Sequence, residues 1–305
     1  MTAETAPATL IRRSELTCPG HSLKMMTKAA ASEADEVIFD LEDGCAVSQK
    51  EGARHSIVEA LTTLDFGQRM RAFRPNGPDT RFFYRDIIEV VEAAGQYIDS
   101  IVLPKINRPE DVLFADRLLT QIEQCMSFPV GRIQLEALIE TAEGVLHAEA
   151  IAKSSPRLSS LIFGLLDFAG DIGAKETGAE QFFYYNYAKA KIVTAARAAN
   201  LNALDGVTIA IKDQEALKRD AEMAARMGFD GKWAVYPPQV AIINAAFTPT
   251  AEEIARAQRI MDAYASADTE HGIGALVIDD EMIDAASLRV EERRLAIARR
   301  AGLIH

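Results

Sequence analysis

The hydrophobic positions of this chain fall into short apolar runs separated by longer amphipathic segments. Successive runs start 23 to 43 residues apart, which is too far for hairpins and suits one strand plus one helix. The pattern predicts eight strands, at residues 13–18, 36–41, 70–74, 100–104, 133–139, 160–166, 203–208 and 232–236.

The segments between the runs have helical spacing and are rich in Ala, Glu, Lys and Arg. They predict helices over residues 49–64, 81–94, 109–126, 142–154, 185–199 and 214–227. Strands that alternate with helices pair in parallel, and eight of them close into a (β/α)8 TIM barrel. An open doubly wound sheet is the alternative. Against it, the first strand is followed by Pro19-Gly20-His21 and not by a G-x-G-x-x-G dinucleotide fingerprint.

The pattern changes after the eighth strand. Thr250 and Glu253 form a capping box, and an apolar stripe of helical spacing follows to about Ser266. A polar connector (268–274), a short apolar run (275–278), an acidic turn (279–281) and a helix from about 284 to 301 complete the chain. We predict two domains: a barrel over residues 1–248 and a C-terminal helical lid over 249–305 that covers the barrel mouth or packs on a neighbouring subunit.

Composition narrows the class of protein. The chain has 305 residues, 49% of them hydrophobic, and a net charge of −12, which fits a globular protein and argues against a nucleic-acid coat. No apolar stretch reaches the ~18 residues of a membrane span, and residues 1–10 lack the pattern of a signal peptide. The three cysteines (Cys18, Cys45, Cys125) are far apart, which favours reduced thiols. We therefore expect a cytoplasmic protein with no nucleic-acid or membrane partner.

Charged residues gather where the predicted strands end, and in barrels of this class the active site lies at those ends. Converging carboxylates repel unless a cation lies among them, and hard oxygen donors without nearby His or Cys favour Mg²⁺, or Mn²⁺, over zinc. We take Glu140 and Asp167 as metal ligands, and Glu42 and Asp43 as residues that hold the metal's waters or orient Arg74. The alternative is that each acid only caps the helix after it. The strand-end residues are Asp40, Glu42, Asp43, Arg74, Lys105, Glu140 and Asp167.

Two further residues have competing interpretations. Arg74 is either a buried ion-pair partner or a group that recognises a substrate carboxylate or polarises a carbonyl through its planar fork. Trp233, the single tryptophan, lies within the eighth predicted strand and is expected in the core.

Several motifs together resemble one family. The sequence resembles the citrate lyase β-subunit-like family, which includes malyl-CoA, β-methylmalyl-CoA and citramalyl-CoA lyases within the HpcH/HpaI aldolase superfamily, from about residue 12 to 290. The motifs are RSELTCPG (13–20), DEVIFDLEDG (35–44), FRPNG (73–77), VLPK (102–105), ALIETAEGV (137–145), FGLLDFAGDIG (163–173), ALDG (203–206), GFDGKWAVYPPQ (228–239) and MIDAASLR (282–289).

This resemblance implies roles for individual residues. The carboxylates that match Glu140 and Asp167 bind Mg²⁺ in the family, and the arginine that matches Arg74 contacts the thioester oxygen. The resemblance also implies CoA contacts by Arg13, Lys24 and Lys28. An aspartate that matches Asp284 belongs to a lid that completes a neighbouring subunit's site, in homotrimers or homohexamers.

The activity implied is a carbon–carbon lyase that interconverts a β-hydroxyacyl-CoA with acetyl- or propionyl-CoA and a small 2-oxo acid such as glyoxylate or pyruvate. Asp284 then transfers the proton at the α-carbon, unless it is merely the N-cap of the last helix. A malyl-CoA thioesterase or malate-synthase-like hydrolysis is one alternative. A class II oxo-acid aldolase without CoA is another, and Arg13 and Lys24 argue against it.

Three departures from the family pattern concern the oxo-acid pocket. The chain has Tyr236-Pro237 where the family commonly has His-Pro, and Gly44-Cys45 where it usually has Ala-Val. It also lacks the insertion that malyl-CoA lyases carry after the second metal aspartate.

Overall fold

A computed structural model describes residues 11–175, 181–271 and 275–304 of the chain. Its centre is a closed barrel of eight parallel strands in sequence order, in which the first strand pairs with both the second and the eighth. The predicted TIM-barrel fold is thereby confirmed. The strands are β1 (Ser14–Pro19), β2 (Glu36–Asp40), β3 (Met70–Arg74), β4 (Ser100–Leu103), β5 (Gln134–Ile139), β6 (Leu158–Phe163), β7 (Asn202–Asp205) and β8 (Gly231–Ala234).

Helices follow the strands, and the six predicted ones are present with bounds within two residues of the prediction. They are α1 (Leu23–Ala30), α2 (Lys50–Thr63), α3 (Phe83–Ala94), α4 (Pro109–Cys125), α5 (Ala142–Ala152), α6 (Leu165–Asp171), α7 (Gln181–Tyr184), α8 (Asn186–Ala198), α9 (Gln214–Met227) and α10 (Gln239–Ala246). The sixth, seventh and eighth strands end two to three residues earlier than predicted. The difference at β6 concerns the site: β6 ends at Phe163, and Gly164 is the N-cap residue of α6. Asp167 therefore lies in the first turn of a helix and not at the end of a strand, as the apolar run 160–166 had suggested.

The two-residue period of the strands arranges the barrel interior in layers. The middle layer is apolar and takes one residue from each of seven strands: Ile38, Ala72, Val102, Leu138, Ile162, Leu204 and Trp233. Trp233 is thus a core residue, as predicted. Two positions further along the chain from five of these residues, at or just beyond the strand ends, lie Asp40, Arg74, Glu140, Gly164 and Gly206. The alternation that buries the core therefore also directs these residues into the barrel mouth.

The chain from Ala245 onward belongs to a second compact unit, distinct from the unit Arg12–Asn244. Its elements are α11 (Ala251–His271), an antiparallel hairpin of β9 (Ala275–Ile278) and β10 (Glu281–Asp284), and α12 (Ala285–Arg300). The predicted capping box is present: Thr250 Oγ1 accepts from the Glu253 amide at 3.2 Å, and Glu253 Oε2 accepts from the Thr250 amide at 2.8 Å. The predicted domain boundary after residue 248 and the lid role of this unit remain predictions.

Some features considered in the sequence lie outside the described residues. They are residues 1–10, part of the segment after Asp167 (176–180) and the end of the predicted connector (272–274). Within the described parts of the chain, no helix combines the length and the apolar character needed to cross a bilayer.

Candidate active site

A cavity of about 170 Å³ opens at the carboxyl ends of the barrel strands. Its charged lining comes from Asp43, Arg74, Glu140 and Asp167. Its apolar lining consists of Leu138, Phe163, Leu165, Leu166, Val207, Trp233 and Val235, with Thr17, Gly164 and Gly206 between them. The structure therefore brings four of the predicted site residues to one cavity.

Glu140 follows β5 directly and is only 2% exposed. The backbone amide of Lys105 donates to its Oε1 at 2.7 Å. Burial and the nearby charge of Asp167 raise the pKa of Glu140 to about 8, although Lys105 and Arg74 oppose this shift. The site thus disfavours the negative charge of Glu140 unless a cation lies beside it.

Lys105 lies among the acids of the mouth. Its backbone is left-handed, with a φ of 54°. Its ammonium lies 2.9 Å from Glu42 Oε1, 2.9 Å from Asp167 Oδ1 and 3.5 Å from Asp43 Oδ2. Partial burial opposes the charge, but Glu42, Glu140 and Asp167 raise the pKa of Lys105 well above its usual range. Lys105 therefore stays cationic.

Arg74, at the end of β3, is held by a bidentate ion pair. Its Nε and one terminal nitrogen donate to the two oxygens of Asp40, each at 2.7 Å, and its other terminal nitrogen lies 3.1 Å from Glu42 Oε2. Its guanidinium lies 5.4 Å from the ring centroid of Trp233. The ion pair fixes the direction of the planar fork, so the ion-pair interpretation of Arg74 is realised. Arg74 also lines the cavity, and its recognition of a substrate carboxylate or carbonyl remains a prediction.

The two carboxyls that hold Arg74 have net pKa shifts of opposite direction. Burial disfavours the anion of Asp40, but Arg74 and the amides of Glu42 and Gly44 lower its pKa below the usual range. Burial raises the pKa of Glu42, even though Arg74 and Lys105 act in the opposite direction. Asp40 is thus the carboxyl with the stronger preference for the ionised form, and Glu42 lies between the cations Arg74 and Lys105.

The donor set of the mouth fits a hard divalent cation. Five carboxyls surround two side-chain cations, so the formal charge is negative before any metal is added. Gly164 leaves room for Glu140, because a Cβ at that position would lie 2.3 Å from Glu140 Cβ. Glu140 and Asp167 line the cavity together and would hold the ion through their carboxylate oxygens.

Other predicted residues lie elsewhere. Arg13 comes just before β1, at the opposite end of the strand from the cavity, and its guanidinium donates to both oxygens of Asp35 at 2.8 Å. The structure does not bring Arg13 to the cavity, because residues before a parallel strand lie on the far side of the barrel. Lys24 and Lys28 are exposed on α1, whose N-terminal end is on the cavity side.

Asp284 belongs to the second unit and is the N-cap of α12. Its Oδ1 accepts from the amides of Ala286 and Ser287, each at 2.9 Å. Hydrogen bonds from Ser287 and Ala286 lower the pKa of Asp284 below its ordinary value. The capping interpretation considered for this residue is therefore realised, and its role in proton transfer remains a prediction.

Two residues of the site were missing from the predicted set. Asp40 holds Arg74 at 2.7 Å, and Lys105 bonds three acids and, through its amide, Glu140. Both stand at the ends of predicted strands, so the signal was present in the sequence. What the sequence did not reveal was their partners.

Comparison with known proteins supports the assignment of the fold and family. Residues 13–237 match the model of the HpcH/HpaI aldolase/citrate lyase family. An L-malyl-CoA/β-methylmalyl-CoA lyase of Cereibacter sphaeroides is 37% identical, over 96% of this chain and 95% of its own. A (3S)-malyl-CoA thioesterase of the same species is 35% identical, over 94% of each chain.

A solved structure gives the same result. The CitE protein of Mycobacterium tuberculosis, crystallised in complex with magnesium, acetoacetate and coenzyme A, superposes with a TM-score of 0.77 at 29% identity and covers 96% of this chain and 98% of its own. These likenesses confirm the predicted resemblance and the prediction that the protein is an enzyme. The chain belongs to the HpcH/HpaI aldolase/citrate lyase family.

Proposed function

We propose that the protein is a Mg²⁺-dependent lyase that forms or cleaves a β-hydroxyacyl-CoA, with acetyl- or propionyl-CoA and a small 2-oxo acid as the other partners. One observation carries the proposal: the carboxylate pair Glu140 and Asp167 lines the same cavity as the fixed guanidinium of Arg74. The oxo-acid half of such a substrate would bind the metal held by the carboxylates, and the thioester half would accept hydrogen bonds from the guanidinium. The malyl-CoA lyase relative and the magnesium and CoA complex of the CitE neighbour support the choice of metal and thioester.

The chemistry follows from charge development. Cleavage transfers the hydroxyl proton to a carboxylate of the mouth, forms a carbonyl and breaks the adjacent carbon–carbon bond, and the electron pair of that bond moves into the thioester enolate. Bound Mg²⁺ would supply Lewis acidity toward the oxygens of the oxo-acid half. Arg74 donates hydrogen bonds to the thioester oxygen as negative charge grows on it. Because Asp40 already holds the guanidinium, little reorganisation is required in the transition state.

The remaining residues have supporting roles in the proposal. Glu42 orients Arg74 at 3.1 Å. Asp284 of a neighbouring subunit transfers the proton at the α-carbon, as acid in cleavage and base in condensation, within a homotrimer or homohexamer. Lys24 and Lys28 contact CoA from α1, whereas the position of Arg13 gives it no such role. Lys24 and the acyl-CoA relatives disfavour a CoA-independent aldolase, whereas Arg13 does not.

The test is a product screen. Purified protein with Mg²⁺ is incubated with acetyl- or propionyl-CoA and a panel of 2-oxo acids, and new acyl-CoAs are identified by mass. We expect at least one condensation product, and a loss of turnover by about two orders of magnitude or more in Asp167→Asn. Asp171→Asn, the same change in the same helix, is the control and should retain activity. No product from any pair, or full activity of Asp167→Asn after EDTA treatment, would overturn the proposal.

A second function, thioester hydrolysis, is favoured by the thioesterase relative. The same cavity would then admit water to the thioester carbonyl. A thiol reagent distinguishes the two outcomes with malyl-CoA as substrate. Hydrolysis releases free CoA thiol, whereas carbon–carbon cleavage leaves the sulfur acylated as acetyl-CoA.

A further inference from the structure

Lys50 is a buried lysine behind the active site. It is the first residue of α2 and is 7% exposed. Its ammonium donates to the backbone oxygens of Leu41 at 2.7 Å and Glu42 at 2.8 Å, and to Asn76 Oδ1 at 2.5 Å. An ammonium has three protons, so each proton has one acceptor.

These three bonds join two separate loops. Leu41 and Glu42 follow β2, whereas Asn76 follows Arg74 and β3 by two residues. Because the ammonium is bonded to both loops at once, it fixes the distance between them. The ammonium therefore couples the position of the loop with Glu42 to that of the loop after Arg74.

Asn76 is itself held from the helix layer. Its amide N–H donates to Asp86 Oδ2 at 3.0 Å, and its side-chain nitrogen donates to the same oxygen at 2.6 Å. Arg54, one turn after Lys50 in α2, donates to the other oxygen of Asp86 at 2.8 Å. Two residues of α2 thus hold these loops in place. Lys50 bonds both loops directly, and Arg54 supports Asn76 through Asp86.

The charge of Lys50 is otherwise hard to explain. Among the residues that the structure describes, its ammonium forms no ion pair within 4.0 Å, and all three acceptors are neutral oxygens. A buried charge without a counter-ion opposes folding. Methionine would fill a similar space without that penalty, so packing alone gives no reason for a lysine here.

We propose that Lys50 is a positioning residue that sets the backbone of the Glu42 loop against the loop after Arg74. With the backbone fixed, the Glu42 side chain faces both Arg74 at 3.1 Å and Lys105 at 2.9 Å. Loss of the ammonium releases two carbonyls and one amide oxygen, and the Glu42 loop can then shift. The kinetic part of this inference rests on the proposed lyase activity, whereas its spectroscopic part does not.

The single tryptophan makes the inference testable without turnover. Arg74 lies 5.4 Å from the ring centroid of Trp233, so displacement of the guanidinium changes the electrostatic environment of the indole. Lys50→Met in the full chain should therefore alter the emission of folded protein. With substrate, kcat should fall about 10- to 100-fold while KM for the acyl-CoA changes less than about threefold, because Lys50 lies outside the cavity lining.

Lys189→Met is the matched control. Lys189 is fully buried, pairs with Asp205 and lies outside the cavity lining. Its removal leaves Asp205 paired with Lys232 at 2.7 Å. We expect this variant to alter stability but neither Trp233 emission nor kcat.

Two results would overturn the inference: wild-type emission and kcat in Lys50→Met, or the same changes in Lys189→Met. If Lys50→Met does not fold, Lys50→Gln, which keeps two N–H donors but is shorter and uncharged, should change Trp233 emission and kcat in the same direction by a smaller amount, and no change in either would overturn the inference. If the wild-type enzyme shows no lyase activity, the proposed function fails and the emission comparison alone decides the role of Lys50.

Discussion

The backbone amide of Lys105 donates a 2.7 Å hydrogen bond to Oε1 of Glu140. The left-handed backbone of Lys105 directs this N–H at the carboxylate, while its side chain turns to Asp167. One residue of the β4–α4 loop thus contacts both carboxylates proposed to hold the metal. Its amide orients Glu140, and its ammonium forms an ion pair with Asp167.

Replacing Lys105 should change metal affinity in a defined direction. In Lys105→Met the hydrogen bond from the main-chain amide is retained, but the ammonium 2.9 Å from Asp167 is lost. Because that cation competes with Mg²⁺ for the same oxygen, we expect Mg²⁺ to bind about tenfold more tightly. This gain is small compared with the full Coulomb energy of the pair, because solvent reaches the lysine side chain. Titration calorimetry measures the effect. Lys153→Met, an exposed lysine at the C-cap of α5, is the control, and weaker binding in Lys105→Met would contradict the competition.

Gly164→Ala should disable the site without unfolding the barrel. An added Cβ would lie 2.3 Å from Glu140 Cβ and 2.6 Å from its Oε2, so the carboxylate must move. We expect Mg²⁺ affinity to fall at least about tenfold, with kcat falling in parallel. Gly170→Ala in the same helix is the matched control, because nothing lies within 4 Å of its added Cβ. Alanine there should stabilise the helix by up to about 1 kcal/mol. Equal metal binding by both variants would show that Glu140 is not a ligand.

Asp284 can be tested separately as a cap and as a proton carrier. Asparagine caps helices about as well as aspartate, so Asp284→Asn should keep the melting temperature, whereas Asp284→Ala should lower it by a few degrees. If Asp284 transfers the proton, both variants lose turnover by orders of magnitude. An active Asp284→Asn would limit the residue to its capping role.

The neighbouring-subunit arrangement predicts complementation. When Asp167→Asn and Asp284→Asn chains are co-expressed in equal amounts, about one quarter of the sites in a mixed oligomer should combine an intact Asp167 from one chain with an intact Asp284 from its neighbour. Activity should therefore reappear in the mixture although each variant alone is inactive. The same assay on separately purified, unmixed variants is the control. No recovery despite mixed oligomers, detected by differential tags, would place Asp284 outside a shared site.

The amino-terminal end of the barrel predicts a pH dependence of stability. Glu15, Glu36 and Glu136 are fully buried there around Arg12. Burial, together with the charge of Glu136, raises the pKa of Glu15 and of Glu36 well above their ordinary 4.5. Burial also disfavours the anion of Glu136, but Arg12 and hydrogen bonds from Glu36 and Ser160 lower its pKa. These shifts favour the anion at Glu136, beside Arg12, and the protonated forms of Glu15 and Glu36.

The sign of the effect follows from proton binding. Stability from protonated Glu15 is complete below about pH 4.5 and is lost as the pH rises through its raised pKa. Glu15→Gln stays neutral at every pH, so its melting temperature should rise relative to wild type as the pH increases. Differential scanning measures this from pH 4 upward, with exposed Glu59→Gln as control. A difference that does not vary with pH would contradict the raised pKa of Glu15.

The sequence alone was sufficient for the barrel and for much of its mouth. Apolar runs of strand length at long, regular intervals leave parallel pairing as the simple solution, and a period of two directs Asp40, Arg74 and Glu140 into the same end of the barrel. The capping box at Thr250 was equally local, since its two partners lie three residues apart. Such features depend on spacing along one segment, which a sequence displays.

Tertiary structure decided everything that depends on which strands face each other. Closure of the barrel brings Glu15 and Glu36 to Glu136 of β5, although each appears in the sequence as an isolated acid in an apolar strand. It also separates Arg13 from the cavity by the length of β1, while the left-handed turn at Lys105 carries an ammonium into the centre of the mouth. The physical reason is the same in each case: electrostatic partners are chosen by distance in space, and spacing along the chain does not encode that distance.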